Sequence, residues 1–344
     1  MTKALFILDF LPESMFTDDP EMNKTIQSLG DDVKLSFYQC TTMFEFDNPM
    51  EYIGKAEKEG VEWVEPADDL LELLKDVDAV LMQWSPFNSK MIDAAPNLKF
   101  IGSMRSGFEN ISADYAKSKG IVVRNCPGRL ASSVADHTLA LILSENRGLL
   151  RINLRGTGGQ WSTDMSDEPF KRPLCMQTAG LIGFGIIAQE VAKRLKGFGT
   201  TVIAYDPFTP DEAFAKLGVT RVDLDTLLQK SDIVSVHARL TDETRGLIGE
   251  KEIAKMKPTA LFINTARAGL VDEAALIRAI KEKRLAGAGL DVYATEPFPE
   301  DFPLLTMDNV TLTPHSAGSF SGVMPLSLSI ICNTFRRYLN GEEV

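Results

Sequence analysis

Histidine, cysteine and long apolar runs are scarce in this chain of 344 residues. It contains three histidines and four cysteines, and the cysteines form no C-x-x-C pair (Cys40, Cys126, Cys175 and Cys332). We therefore expect no metal site, and scattered thiols favour a reducing, cytoplasmic location. No apolar run reaches the roughly 18 residues of a membrane-spanning helix, so we expect no membrane partner.

Basic residues are also in deficit, with 36 Lys and Arg against 48 Asp and Glu and a net charge of −12. An acidic chain without a long basic run is not typical of proteins that bind nucleic acid. The apolar share of 44% and the charged share of 24% exclude disordered, collagen-like and disulfide-scaffold classes. The length exceeds that of one usual hydrophobic core and predicts about two domains.

Short apolar runs alternate with helix-like stretches along almost the whole chain. The predicted strands fall into two series: 4–8, 79–82, 100–101 and 121–123, and then 179–182, 201–205, 233–237, 261–264, 288–292 and 310–313. Repeated strand–helix–strand order requires right-handed crossovers and parallel sheets that helices cover on both faces. The sequence therefore predicts an α/β fold with two doubly wound units.

An unusually apolar helix is predicted to begin near Ser133, because Ser133 and Asp136 have the spacing of a capping box. Its centre, 139–143, is apolar on nearly every face, which predicts burial between domains or in a subunit interface. The Gly-rich segment 155–160 lacks a preceding strand and a following helix, so we interpret it as a surface loop. The segment 161–177 has no clear pattern.

The strongest local signal is a glycine motif that follows the strand 179–182. Gly183-x-Gly185-x-x-Ala188 opens a helix, and the next strand ends at Asp206. Gly183 permits a tight turn, Gly185 lets a pyrophosphate approach the backbone, and the helix N-terminus supplies free N–H groups. Asp206 would accept hydrogen bonds from a ribose 2′-hydroxyl and repel a 2′-phosphate. The motif predicts a dinucleotide-binding unit that prefers NAD to NADP.

Polar side chains close the strands of the second series: Asp206, His237, Asn264 with Arg267, Asp291 and His315. Ligands of open parallel sheets bind beyond the carboxyl ends of the strands, so this row predicts a site. Arg267 can bind a carboxylate, His315 can exchange a proton near neutral pH, and Glu296 can orient the imidazole. Each of these three residues could also have a purely structural role, and we interpret His137, inside the predicted helix, as structural.

Several segments, in the same order, resemble the NAD-dependent D-isomer-specific 2-hydroxyacid dehydrogenases, which include phosphoglycerate, D-lactate and glyoxylate/hydroxypyruvate-type enzymes. They are the glycine motif and 105–111, 125–128, 134–138, 237–241, 264–269, 289–297 and 313–315. The resemblance implies a Rossmann NAD-binding domain inserted in a flavodoxin-like substrate domain, and a homodimer through the NAD-binding domain. We expect the NAD-binding domain at 124–316 and the substrate domain at 1–123 and 317–344.

The resemblance also implies a role for individual residues. Arg267 resembles the arginine that binds the substrate carboxylate, His315 the proton donor or acceptor, and Glu296 its carboxylate partner. Backbone N–H groups around Ser106 and Gly107 resemble the substrate-carboxylate loop, to which Arg105 adds charge. Asp291 resembles the contact to the nicotinamide end. The other positions that resemble cofactor contacts are Thr138, Gly183, Gly185, Ile186, Ile187, Asp206, His237, Ala238, Arg239, Thr244 and Thr265.

These roles imply an oxidoreductase that transfers a hydride between NAD(H) and a pair formed by a D-2-hydroxy acid and a 2-oxo acid. Two alternatives share the fold. One is an NAD-binding corepressor or redox sensor with little turnover, and the other is an NAD-dependent enzyme of formate or phosphite. Arg105 permits a phosphorylated substrate without requiring one, so the sequence leaves the identity of the acid open.

Overall fold

Two units make up the chain in the computed structural model. The described residues are 1–46, 49–159 and 172–344. The first unit comprises Met1–Arg129 and Phe320–Val344, and the second comprises Leu130–Ser319. The second unit is thus one continuous stretch of chain, whereas the first is built from two separate stretches.

Short strands and helices alternate through both units. The strands are β1 (Thr2–Leu8), β2 (Val33–Gln39), β3 (Ala79–Met82), β4 (Phe100–Ser103), β5 (Val122–Arg124), β6 (Thr178–Ile182), β7 (Thr201–Tyr205), β8 (Thr220–Arg221), β9 (Ile233–Val236), β10 (Leu261–Asn264), β11 (Gly287–Leu290) and β12 (Val310–Leu312).

The helices occupy most of the connections between these strands. They are α1 (Glu13–Thr17), α2 (Pro20–Gln27), α3 (Pro49–Glu59), α4 (Asp68–Leu74), α5 (Ser89–Asp93), α6 (Ala113–Ser118), α7 (Ala131–Arg147), α8 (Leu149–Thr157), α9 (Ile186–Gly197), α10 (Asp211–Leu217), α11 (Leu224–Lys230), α12 (Glu250–Ile253), α13 (Glu273–Lys281) and α14 (Val323–Leu339). Among the described residues, none of these helices has both the length and the apolar composition needed to cross a bilayer.

The first unit contains a five-stranded parallel sheet in the order β2-β1-β3-β4-β5. The strand order reverses between β1 and β3, which is where such sheets bind ligands. Helix α14 covers one face, with the ring of Phe335 centred 4.8 Å from that of Phe100. A Cβ at Gly102 would lie 2.7 Å from the Leu81 side chain and 2.8 Å from that of Ile331. Glycine in β4 therefore allows the close approach of α14.

The second unit contains a seven-stranded parallel sheet in the order β12-β11-β10-β9-β6-β7-β8. Helix α7 packs against α9, β10 and β11, and a Cβ at Gly289 would lie 2.8 Å from the Leu141 side chain. This apolar helix is therefore buried against the sheet of its own unit, and its predicted place between domains or in a subunit interface stays a prediction. The sheet brings the carboxyl ends of β10, β11 and β12 side by side.

Two local predictions were wrong. Helix α7 begins at Ala131 without a side-chain cap, because the Ser133 hydroxyl donates to the Ala317 carbonyl at 2.9 Å instead. Helix α8 continues through Thr157, so the first half of the predicted loop 155–160 is helical. Residues 160–171, which include most of the unpatterned segment, lie outside the described residues.

Candidate active site

His315 lies in the turn that follows β12. Its Nδ1 is 2.7 Å from Oε2 of Glu296, and Oε1 of Glu296 accepts a hydrogen bond from the Tyr293 N–H at 2.9 Å. A carboxylate only accepts, so Nδ1 carries a proton and donates a hydrogen bond to Glu296. Nε2 is then the ring atom left to exchange a proton. The side chains of His315 and Glu296 are 37% and 30% exposed, so both are open to a ligand.

The backbone of His315 is in the left-handed region, with φ of 49°. This conformation costs a non-glycine residue about 1–3 kcal/mol, and such strain persists only where the surroundings hold it. Asp291 does so here: its Oδ1 accepts from the Ser316 N–H and its Oδ2 from the Ala317 N–H, both at 2.9 Å. Asp291 is only 1% exposed, and its side-chain hydrogen bonds are with the turn that carries His315.

Arg267 follows β10 and is exposed. The Asn264 side chain fixes the turn between them, because its Nδ2 donates to the Arg267 carbonyl at 3.1 Å and its Oδ1 accepts from the Ala266 N–H at 3.0 Å. Nη1 of Arg267 donates to the Ala266 carbonyl at 2.8 Å. Its other guanidinium N–H groups can reach a carboxylate in solution. Arg267, Glu296 and His315 thus follow three neighbouring strands at one edge of the sheet.

The glycine motif forms the turn between β6 and α9. Gly183 has a φ of 87°, and a Cβ there would lie 2.6 Å from the Ala238 backbone nitrogen. A Cβ at Gly185 would meet no atom within 4 Å, so the space above it is open. No described side chain caps the N-terminus of α9, which leaves its first N–H groups available to an anion. These features fit the pyrophosphate of a dinucleotide.

Asp206 follows β7 and lies beside the glycine turn. Its carboxylate accepts hydrogen bonds from the Phe184 N–H at 2.7 Å, the Phe208 N–H at 2.8 Å and the Thr209 N–H at 3.0 Å. Partial burial alone would raise the pKa of Asp206, but these three N–H groups outweigh burial and lower that pKa. Asp206 is therefore a half-buried anion that also ties the glycine turn to β7.

His237 follows β9 and contributes to the wall behind Gly183. Its Nε2 is 2.9 Å from the Ser235 hydroxyl, and burial lowers the pKa of His237 to about 4. The imidazole is consequently neutral near pH 7, unlike a histidine that serves as an acid. Its predicted place near the cofactor stays a prediction.

The remaining predicted cofactor residues are divided between the interior and the surface. Thr138 and Thr265 are buried, with their hydroxyl oxygens 2.9 Å apart. The Thr244 hydroxyl donates to the Arg239 carbonyl at 2.7 Å and closes the loop after β9. The others are exposed or half-buried on the second unit: Ile186, Ile187, Ala238 and Arg239.

Arg105 follows β4 in the first unit and is only 6% exposed. Its guanidinium carbon lies 3.3 Å from the centre of the Trp84 ring, and its Nη1 is 3.3 Å from Oε2 of Glu109. Glu109 folds back over the loop, since a Cβ at Gly107 would lie 2.2 Å from its carboxylate oxygens. The positive charge predicted for this loop is thus paired with Glu109 inside the unit. The Ser106 hydroxyl donates to the Cys126 carbonyl at 3.3 Å.

Two residues near His315 received no catalytic role from the sequence. The Thr313 hydroxyl is 2.6 Å from Asp291 Oδ1 and 2.9 Å from His137 Nε2. His137 lies on α7 and was interpreted as structural from its place in an apolar helix. The sequence offered one indication of a role for Thr313, namely its position at a strand end two residues before His315.

Comparison with known proteins identifies the family. Residues 139–317 match the NAD-binding domain of the D-isomer-specific 2-hydroxyacid dehydrogenases. The chain belongs to this family. The predicted family, the two parallel-sheet α/β units and NAD as the cofactor are thereby confirmed.

Individual relatives extend the match over most of the chain. The glyoxylate reductase of Thermococcus litoralis is 40% identical over 285 residues, which cover 80% of this chain and 85% of the relative. The D-3-phosphoglycerate dehydrogenase of Methanocaldococcus jannaschii is 38% identical over 278 residues, 80% of this chain but 52% of the relative. This chain therefore spans about half the length of the Methanocaldococcus jannaschii dehydrogenase.

The crystal structure of a D-isomer specific 2-hydroxyacid dehydrogenase from Lactobacillus delbrueckii ssp. bulgaricus, in its NAD complexed form, has the same fold. It superposes with a TM-score of 0.76 and 26% identity over 99% of this chain and 98% of that chain. The family model and these relatives do not favour the corepressor alternative, since the relatives are named as dehydrogenases and reductases.

Proposed function

We propose that this family member transfers a hydride between NAD(H) and a D-2-hydroxy acid/2-oxo acid pair. The observation that carries the proposal is the contact of 2.7 Å between His315 Nδ1 and Glu296 Oε2. It orients an accessible imidazole in the tautomer that exchanges a proton at Nε2. Arg267 follows β10, two strands from β12 in the same sheet, and its exposed guanidinium supplies the positive charge that a carboxylate substrate needs.

Each residue of this set has a separate task in reduction of the oxo acid. Arg267 binds the substrate carboxylate through two N–H groups and so orients the carbonyl. His315 gives the proton on Nε2 to the developing alkoxide, while Glu296 stabilises the imidazolium before that transfer. NADH, when bound, supplies the hydride. In the opposite direction neutral His315 accepts the hydroxyl proton at Nε2.

The residues proposed to hold NAD surround the glycine turn. Gly185 and the first N–H groups of α9, at Ile186 and Ile187, face the pyrophosphate, and Asp206 accepts from the ribose. Ionised Asp206 supports the preference for NAD, because it would repel a 2′-phosphate. The other proposed contacts are Thr138, Gly183, His237, Ala238, Arg239, Thr244, Thr265 and Asp291.

Substrate contacts are also proposed for the first unit, through backbone N–H groups at Ser106 and Gly107. Arg105 is proposed to shape this loop through Trp84 and Glu109, since its charge is already paired. The reported relatives are named for glyoxylate and for 3-phosphoglycerate, which are both acids of the proposed class. Because the charge of Arg105 is already paired with Glu109, it is not available to a phosphate group. We therefore propose a small 2-oxo acid without phosphate as the substrate.

A homodimer through the second unit is part of the proposal. Four large apolar side chains of α8 are 42–62% exposed and support an interface there: Leu149, Leu150, Ile152 and Leu154. A cytoplasmic location is supported by four free cysteines. The net charge of −12 supports the absence of nucleic-acid and membrane partners.

NADH oxidation against a panel of 2-oxo acids tests the proposal. The panel runs from glyoxylate and pyruvate to hydroxypyruvate and to branched, aromatic and phosphorylated acids, with His315→Asn as the control variant. We expect turnover by the wild type and a loss of about 10²–10⁴-fold in kcat for His315→Asn, with the Kd for NADH unchanged. Full activity of His315→Asn would refute the acid–base role. NADH binding without turnover of any acid would refute the proposed reaction.

A further inference from the structure

The turn that carries His315 is held in its strained conformation by a buried set of polar contacts. Asp291 binds the two N–H groups that directly follow His315, those of Ser316 and Ala317. On the other side, the His315 N–H donates to the Thr313 carbonyl at 3.0 Å. Any change in the position of Asp291 or Thr313 therefore moves the backbone of His315.

The direction of each hydrogen bond in this set follows from elementary donor and acceptor rules. The Asp291 carboxylate can only accept, so the Thr313 hydroxyl donates to Oδ1 at 2.6 Å. The only hydrogen of that hydroxyl is used in this bond, so the oxygen accepts a hydrogen bond from His137 Nε2 at 2.9 Å. His137 must therefore carry its proton on Nε2. The same nitrogen lies 3.6 Å from Asp291 Oδ1.

We propose that His137, Thr313 and Asp291 act as positioning residues for His315, and we call the three the His137 relay. The relay extends from α7 through the ends of β12 and β11 to the N–H groups beside His315. It keeps His315 Nδ1 aligned on Glu296 and thereby keeps Nε2 as the proton-exchanging atom. This inference rests on the proposed function, in which Nε2 exchanges that proton.

The chemistry of Thr313 separates this role from simple packing. Valine has nearly the shape of threonine but cannot donate to Asp291 or accept from His137. Serine lacks the methyl group but keeps both hydrogen bonds. For His137, glutamine can place an amide N–H where Nε2–H lies, whereas phenylalanine fills the space without a donor. Each position thus offers a variant that breaks the relay and a variant that retains it.

Steady-state kinetics gives the first test. We expect Thr313→Val to lower kcat about tenfold and Thr313→Ser to stay within about twofold of wild type, with KM and the NADH Kd little changed in both. His137→Phe should behave like Thr313→Val, and His137→Gln like Thr313→Ser.

Nitrogen-15 NMR of the imidazoles gives a test that does not need turnover. The chain has only three histidines, so their side-chain signals can be assigned by single substitutions. We expect the Nε2–H tautomer for His137 and the Nδ1–H tautomer for His315 in the wild type. In Thr313→Val the His315 signals should shift toward a mixture of tautomers, and in Thr313→Ser they should not.

The outcomes distinguish the relay from the proposed function. No turnover by the wild type, with the expected tautomers, would refute the reaction but not the positioning contacts. Equal loss of kcat in the Val and Ser variants, or loss that follows only the melting temperature, would refute the relay. A His137 proton on Nδ1, or wild-type kcat in both Thr313→Val and His137→Phe, would refute it as well.

Discussion

The carboxyl edges of the two sheets carry similar residues in opposite states. At the edge of the second unit, Arg267 is exposed and His315 is 37% exposed. At the edge of the first unit, Asp9 and Arg105 are 2% and 6% exposed. Trp84 contacts both buried groups, since its backbone N–H donates to Asp9 Oδ2 at 2.9 Å and its ring stacks on Arg105. The second unit exposes Arg267 and His315 at its edge, whereas the first unit encloses Asp9 and Arg105.

The difference teaches that a charged residue after a parallel strand is not by itself a ligand contact. Desolvation raises the pKa of Asp9, which shows how fully that edge encloses its carboxyl group. A charge that is paired inside the protein stabilises a loop, whereas an exposed charge can meet a substrate. Substitutions at the two edges should therefore affect different measurements, and each prediction below tests that separation.

The largest effect is expected at the open edge, for Arg267→Ala. Loss of a two-point contact to the substrate carboxylate should lower kcat/KM about 10³-fold, which corresponds to about 4 kcal/mol of transition-state stabilisation. The free energy of unfolding should hardly change, because Arg267 is exposed. Steady-state kinetics and urea unfolding measure the two quantities on the same preparation. A large fall in the free energy of unfolding would contradict the exposure of Arg267.

The closed edge should show the opposite pattern for Arg105→Met. Methionine keeps an apolar side chain beside Trp84 but leaves the partly buried Glu109 without its cation. We expect the free energy of unfolding to fall by about 1–3 kcal/mol, and kcat/KM to fall less than in Arg267→Ala. Arg105→Met combined with Glu109→Gln should recover part of the stability. Unchanged unfolding together with lost activity would mean that Arg105 binds substrate directly.

His237 gives the smallest effect and sharpens the comparison, because it is an enclosed residue at the open edge. Its pKa of about 4 lies below that of an unfolded histidine, so the unfolded chain binds more protons between about pH 6.5 and pH 4. His237 therefore costs stability as the pH falls through this range, by about 2 kcal/mol at pH 5. Urea unfolding at pH 7 and pH 5 should show a smaller difference for His237→Gln than for the wild type. An equal difference would contradict the enclosure of His237.

Features encoded by consecutive residues could be predicted from the sequence. The glycine turn, most strands of the two sheets and the row of polar residues after β7 to β12 depend on local patterns of apolar and glycine residues. Strands β2 (Val33–Gln39) and β8 (Thr220–Arg221) were not predicted. The pairing of Glu296 with His315 was predicted from the chemistry of a carboxylate beside an imidazole and from the family resemblance. These features need no knowledge of distant side chains.

Other features depend on contacts between residues far apart in the chain. Arg105 is covered by Trp84, which follows the preceding strand and lies under its guanidinium. The capping box at Ser133 did not form because the Ala317 carbonyl takes that hydroxyl. The link from His137 to Thr313 joins residues 176 positions apart. No local pattern reports such partners, so the sequence could not assign these roles.

The position of α14 has a consequence for synthesis on the ribosome. This helix, Val323–Leu339, completes the core around Phe100 and Gly102, yet it is translated only after the whole second unit. At a synthesis rate of about 5–20 residues per second, roughly 10–40 s pass between the synthesis of β5 and that of α14. During this time one face of the first sheet lacks its covering helix. The continuous second unit can close its own core during that interval. The nascent chain should thus fold its middle before its beginning, and the waiting apolar face is a natural target for a chaperone.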